Sequence, residues 1–191
     1  MGINNILSVL TSKTSLIIIG LLVVSVLVLF RFSGKSGSDN SSNSADKMSV
    51  KEVISAQDLN QEFSFPLRGD EGKELSKVVI SVDRAEIRDE IIVQGKKVAS
   101  TKGRTFLVLN LRVKNDYNQS ISVNTRDYFR LAVGGNEEDW LAPDIHNDPV
   151  EVQAISTKPT RVAFPVDEGV KSFKLTVGEI EGEKQTVEFK F

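Results

Sequence analysis

Residues 103–115 read GRTFLVLNLRVKN. Within them Leu107, Leu109, Leu111 and Val113 alternate with Val108, Asn110 and Arg112. Side chains of a strand change face at every residue, so this period of two gathers the leucines on one surface. The stretch is predicted to be a half-buried strand, with Lys114-Asn115 opening the turn that ends it.

The same logic extends in both directions. Upstream, Phe63, Phe65 and Leu67 alternate with Ser64 and Pro66, and Val78, Ile80 and Val82 form the next run. Ala85 and Ile87 continue that run with opposite parity, which predicts a bulge or turn near Asp83-Arg84. Ile91–Val93 and Val98 flank Gln94-Gly95-Lys96-Lys97, a hairpin signal. Downstream come Ile121 and Val123, then Phe129, Leu131 and Val133 ended by Gly134-Gly135. Three later runs are Val162-Phe164-Val166, Phe173-Leu175-Val177 and Val187-Phe189-Phe191. Val50 to Leu59 has room for one or two helical turns, and nothing after residue 48 shows a longer helical period. About nine short strands with turn chemistry between them predict an all-β, antiparallel sandwich or barrel.

The segment Gly103–Asn115, with its glycine, aromatic, alternating apolar residues and Lys-Asn turn, resembles the central strand of a telokin-like, immunoglobulin-fold domain family. Ile121-Ser122-Val123 and Phe129-Arg130-Leu131 continue the likeness, as do Pro159, Val162–Val166 and Phe173-Lys174-Leu175, so that it covers roughly residues 76–178. Pro159-Thr160 stands where members often have Pro-Gly. The family occurs in prokaryotic membrane-anchored and secreted proteins, largely of unknown function. The resemblance implies an immunoglobulin-like antiparallel β-sandwich, outside the cytoplasm, on a single anchor. It carries no catalytic residues over.

The N-terminal region differs in kind. Leu16 to Phe30 reads LIIIGLLVVSVLVLF, fifteen residues without charge, and the charge-free window between Lys13 and Arg31 is seventeen residues long. At about 1.5 Å per residue a helix of that length spans about 25 Å, close to a hydrocarbon core of about 30 Å once Arg31 snorkels. The run sits at or beyond the apolar core of a signal peptide, and Arg31-Phe32 is no small-residue cleavage site, so an uncleaved anchor is expected. Residues 33–46 are SGKSGSDNSSNSAD, a composition that cannot bury a core and behaves as a tether. The expected organisation is a tail over 1–13, a transmembrane helix over 14–32, a stalk over 33–47 and a β-sandwich over 48–191. Lys13 and the amino terminus nearly balance Arg31 and Lys35 across the run. A long folded domain translocates largely regardless of charge, so the expected location is the cell membrane, single-pass, with the C-terminal domain extracytoplasmic.

Charge and composition narrow the chemistry. The 191-residue chain has net charge −2, no cysteine and one histidine. Residues 1–47 carry net +2 and residues 48–191 net −4, so no basic excess invites nucleic acid. Without cysteine there is no thiolate metal site, Cys nucleophile or disulfide. Residues 137–151, EEDWLAPDIHNDPVE, hold six carboxylates, the only His and the only Trp. If extended, Asp144, His146 and Asp148 share a face and could hold a divalent ion, although Pro143 and Pro149 argue against a regular strand and a solvated acidic loop is the plainer reading. Trp140 is a candidate partner anchor, or else a cap on the end of the sandwich. Arg68-Gly69-Asp70 reads as a turn rather than an adhesion motif. Lys96, Lys97, Lys102 and Arg104 form a small basic cluster around the hairpin. Asp89-Glu90 and Asp83 with Glu86 are paired carboxylates without the aromatic platforms of a sugar site, and no nucleophile elbow or phosphate loop occurs.

The expected function is a membrane-anchored binding module, without catalysis or cofactor, for a protein or cell-envelope partner. The alternatives are a structural subunit of a membrane complex or pilin-like filament, and a divalent-metal sensor at Asp144, His146 and Asp148.

Overall fold

The computed structural model describes residues 49–69 and 71–191. The tail, transmembrane helix and stalk expected over 1–13, 14–32 and 33–47 lie outside these residues. Among the described residues no helix is long and apolar enough to cross a membrane.

Among the described residues thirteen strands follow in chain order. They are β1 (Ser55–Arg68), β2 (Glu74–Arg88), β3 (Glu90–Val93), β4 (Lys96–Ala99) and β5 (Arg104–Asn115). Next come β6 (Ile121–Val123), a 3-10 turn (Thr125–Asp127), β7 (Phe129–Val133), β8 (Asn136–Leu141) and β9 (Ile145–His146). The last are β10 (Val150–Val152), β11 (Ser156–Asp167), β12 (Ser172–Val177) and β13 (Gln185–Lys190). One sheet has the order β1-β2-β5-β11-β9 and the other β13-β12-β7-β8, while β6 pairs with β10 and β3 with β4. Every pairing is antiparallel.

The two large sheets meet face to face over a single apolar core. Ile80, Leu107, Leu109 and Phe164 from the first sheet join Phe129, Leu131 and Leu175 from the second, all at 0% exposure. Val152 of β10 and Val123 of β6 enter the same core. Removing this much apolar surface from water drives the packing, and it fills the role that a disulfide fills in smaller secreted domains. The antiparallel β architecture read from the alternation is therefore the one the described residues adopt.

The parity slip in β2 has its expected cause. The pairing of β2 with β5 shifts register between Val82 and Arg84, so Val82 and Ala85 are both buried although an odd step separates them. Asp83, displaced at this bulge, accepts two hydrogen bonds of 2.7 Å from the Arg112 guanidinium on β5.

Three features depart from the sequence reading. The segment offered as helical, Val50 to Leu59, runs from Ser55 into β1, because its side chains can pair along β2 from Ile87 to Arg84. The Pro159-Thr160 dipeptide is no turn; it lies inside β11, opposite Arg112 and Leu111. An edge strand can forgo a ladder donor, and β9 covers β11 only at Val162 and Ala163. Last, β5 is not half-buried throughout. Phe106 and Val108, on its outer face, are 6% and 2% exposed and join Ile91 and Ala163 in a second small core. The β3–β4 hairpin covers them, and Arg161 of β11 donates to the Ile92 carbonyl. The hairpin turn is Gln94-Gly95, both with positive φ, the geometry whose twist suits a two-residue connection.

Candidate functional site

Asp144, His146 and Asp148 are not gathered into a metal cluster, and among the described residues no group of three or more potential ligands stands close enough to hold an ion. Asp144 is exposed, and His146 sits in β9 opposite Val162. The Asp148 carboxylate is already engaged. Its Oδ1 accepts from Thr125 N at 2.8 Å and Thr125 Oγ1 at 2.6 Å, and its Oδ2 accepts from Arg126 N at 2.8 Å. These are the free N–H groups at the start of the 3-10 turn, where an anionic acceptor is favoured. His146 Nδ1 accepts the backbone N–H of Asp148 at 3.2 Å. The same nitrogen stands 3.3 Å from Asp148 Oδ2. The geometry makes Asp148 a buried cap.

Asn115, which ends the central strand, is a second polar organiser that the sequence marked only as a turn residue. At 0% exposure its Nδ2 donates to Gln119 O, Val152 O and Gln153 O at 2.8, 3.3 and 3.0 Å. Its Oδ1 accepts from Tyr117 N at 2.9 Å. One side chain thus ties the β5–β6 turn to the end of β10.

Three of the four paired carboxylates are spent on cations. Glu86 pairs with Arg88 at 2.7 Å, Asp83 with Arg112 at 2.7 Å, and Glu90 with Lys97 at 3.2 Å. The Glu90 carboxyl is held below its usual range, first by the backbone N–H of Lys51 and then by Lys97, against some burial. The same bond draws Lys97 out of the basic cluster, as Asp167 draws Arg104 at 2.7 Å. A hollow of about 440 Å³ is lined by Ile54, Ile87, Val170 and Phe191 and by Asp89, Glu168 and Lys171. Its charges have both signs, so it selects no ligand charge. Gly69 N donates to Lys73 O and Gly72 N to Gly69 O, which makes the β1–β2 connection the expected turn.

Trp140 lies elsewhere, on β8. This strand is an end strand of its sheet, among the described residues it pairs only with β7, and all six of its side chains are exposed. Trp140 and Leu141 are each 36% exposed. The connection from β7 is Gly134-Gly135, with φ of 65° and 84°, a conformation that glycine adopts without strain. From there the pairing is irregular: Val133 faces Asn136 and Leu131 faces Leu141, so Glu137 to Trp140 stand opposite Ala132 alone. Cross-strand partners share a face, and Leu131 points into the core. Parity then puts Glu137 and Trp140 on the outer face of the sheet, with the extra residues absorbed at Glu138 and Asp139. Glu137 is held at 2.7 Å by Lys174 of β12, whose ammonium is held above its usual range by that carboxylate. Glu138 and Asp139 have no ion-pair partner among the described residues. Sequence periodicity missed β8 because a strand exposed on both faces carries no alternation.

No protein-family model matches the chain, and no curated protein matches it. Solved structures similar to it at low identity include the following three. An uncharacterized β-sandwich protein from Clostridium difficile 630 is 14% identical with a TM-score of 0.46, over 66% of this chain and 90% of that one. A conserved hypothetical protein from Bacillus anthracis is 14% identical with a TM-score of 0.42, over 66% of this chain and 96% of that one. A functionally unknown protein from Listeria monocytogenes EGD-e is 12% identical with a TM-score of 0.43, over 73% of this chain and 86% of that one.

Proposed function

We propose that this chain is a single-pass, membrane-tethered β-sandwich of the immunoglobulin-like, telokin-like kind that binds a protein or envelope partner outside the cytoplasm and performs no catalysis. The observation that carries the binding reading is the exposed Trp140 on β8, an end strand of its sheet. A large aromatic at an open edge offers much contact area for little lost side-chain freedom. The anchoring reading is supported by the charge-free run Leu16–Phe30, and the tether by residues 33–46. A tethered module searches a volume before it docks.

A photoreactive amino acid placed at position 140, with a control at Ser64 on β1, tests this in native membranes. The expected result is a discrete crosslinked partner from position 140 and none from Ser64. No adduct from position 140 overturns the binding reading. Degradation of the domain by protease added outside intact cells is expected, and its full protection overturns the proposed orientation.

A further inference from the structure

Resting on that reading, we propose that β8 takes an extended, lysine- or arginine-bearing segment of a partner protein as an added strand along its outer edge. The first ground is the edge itself. No strand of the described residues covers the far side of β8, so its outward N–H and C=O groups are a template for main-chain pairing. The second is the irregular register, which leaves Glu137 to Trp140 without one-to-one partners on β7 and presents four consecutive exposed side chains.

Charge then selects the occupant. Three carboxylates stand on six residues, and only Glu137 is matched by a cation. A second copy of β8 would set Glu138 and Asp139 against their own kind, and like charges directly opposite are destabilising. An anionic polymer or lipid surface meets the same repulsion. A wholly apolar segment would strip water from two carboxylates and return nothing. Ammonium or guanidinium groups satisfy both carboxylates, and the Trp140 ring adds a face on which a cation can rest.

Trp140 is the only tryptophan, so its emission reports on this edge directly. The full chain in a mild detergent is titrated with a short peptide alternating Lys with Thr. A saturable change in emission is expected, and none with the matching Glu-Thr peptide. Glu138→Gln with Asp139→Asn is expected to weaken binding about fivefold, as two exposed charge pairs would. Methylating alternate peptide amides is expected to abolish binding, since the ladder bonds are lost. Undiminished binding of the methylated peptide, equal binding of the acidic one, or no saturable change with the Lys-Thr peptide overturns the proposal. Both substituted side chains are exposed, and a far-UV circular dichroism spectrum checks the fold. Should the double variant fail to fold, the salt dependence of the unaltered chain decides: affinity must fall as salt rises, and affinity indifferent to salt overturns the proposal. A crosslink from position 140 to an acidic or apolar segment would also overturn it while leaving the binding reading intact.

Discussion

The Asp148 carboxylate takes three donors from Thr125 and Arg126, and its side chain is 4% exposed. Deleting it strands two backbone N–H groups and a hydroxyl at the buried Thr125. Asp148→Ala is expected to cost about 2–4 kcal/mol, and Asp148→Asn less because one oxygen remains, both measured by urea unfolding. Equal costs for the two would argue against a capping role. Tyr128 gives a pH signature. It is half-buried, packs its ring 4.7 Å from Phe65, and its hydroxyl is pushed above the ordinary range near 10, first by burial and then by Glu179 and Asp127. The unfolded chain therefore releases this proton first, so stability is full below about pH 10 and falls as pH rises through the folded value. Replacing Tyr128 by Phe is expected to flatten that alkaline fall, seen as a smaller drop in Tm above pH 10 relative to neutral pH. An unchanged slope would place the fall on other groups, such as Lys174, whose raised value acts in the same direction.

At the scale of elements, the β3–β4 hairpin works as a lid on β5. Ile91 is 3% exposed over Phe106 and Val108, while β4 itself is exposed throughout. Ile91→Ala is expected to cost about 2 kcal/mol, low for a buried isoleucine because this core is small, and to raise binding of an apolar dye at Phe106. Amide exchange in β3 and β4 is expected to be faster than in β5, because few apolar contacts hold the hairpin down. Exchange as slow as that of β5 would show the hairpin and strand opening as one unit. The stretches that alternate, such as Leu109 to Val113, were legible because one face is buried and the other is not. The bulge at Asp83 was legible because parity changed. The outer core was not, since Phe106 and Val108 gain their cover from other strands, Ile91 before them and Ala163 after them, and periodicity is blind to tertiary cover. Asp148 could not be told from a ligand, because the same carboxylate serves a cap or a cation and only Thr125 decides between them. Trp140 was singled out by its rarity, but its place on an open edge required the sheet order.

At the scale of the molecule, a sandwich leaves open edges, and three here, those of β1, β11 and β8, are guarded. The outer side of β1 is broken where the register shifts between Asp58 and Gln61, with Asn60 at φ 50°, and it carries Pro66. The outer side of β11 is patched at Val162 and Ala163 by β9 and bears Pro159 and Pro165 elsewhere. On β8 the guard is charge, Glu137, Glu138 and Asp139. That guard has two consequences: it repels a second copy of the strand and admits a cationic one. Removing it should release the first restraint. Glu138→Thr with Asp139→Val keeps the length of β8 and raises its preference for extended pairing while deleting the like-charge repulsion. The double variant is expected to self-associate more than the parent chain, with oligomers growing across micromolar to millimolar concentrations. Sedimentation velocity in the same detergent separates this from any association that both chains share. High salt should bring the parent part of the way toward the variant, since screening weakens the same repulsion within a Debye length of about 10 Å at 0.1 M. If the variant sediments as the parent does at every concentration, the carboxylates do not guard this edge, and the selectivity for a cationic strand loses its physical basis.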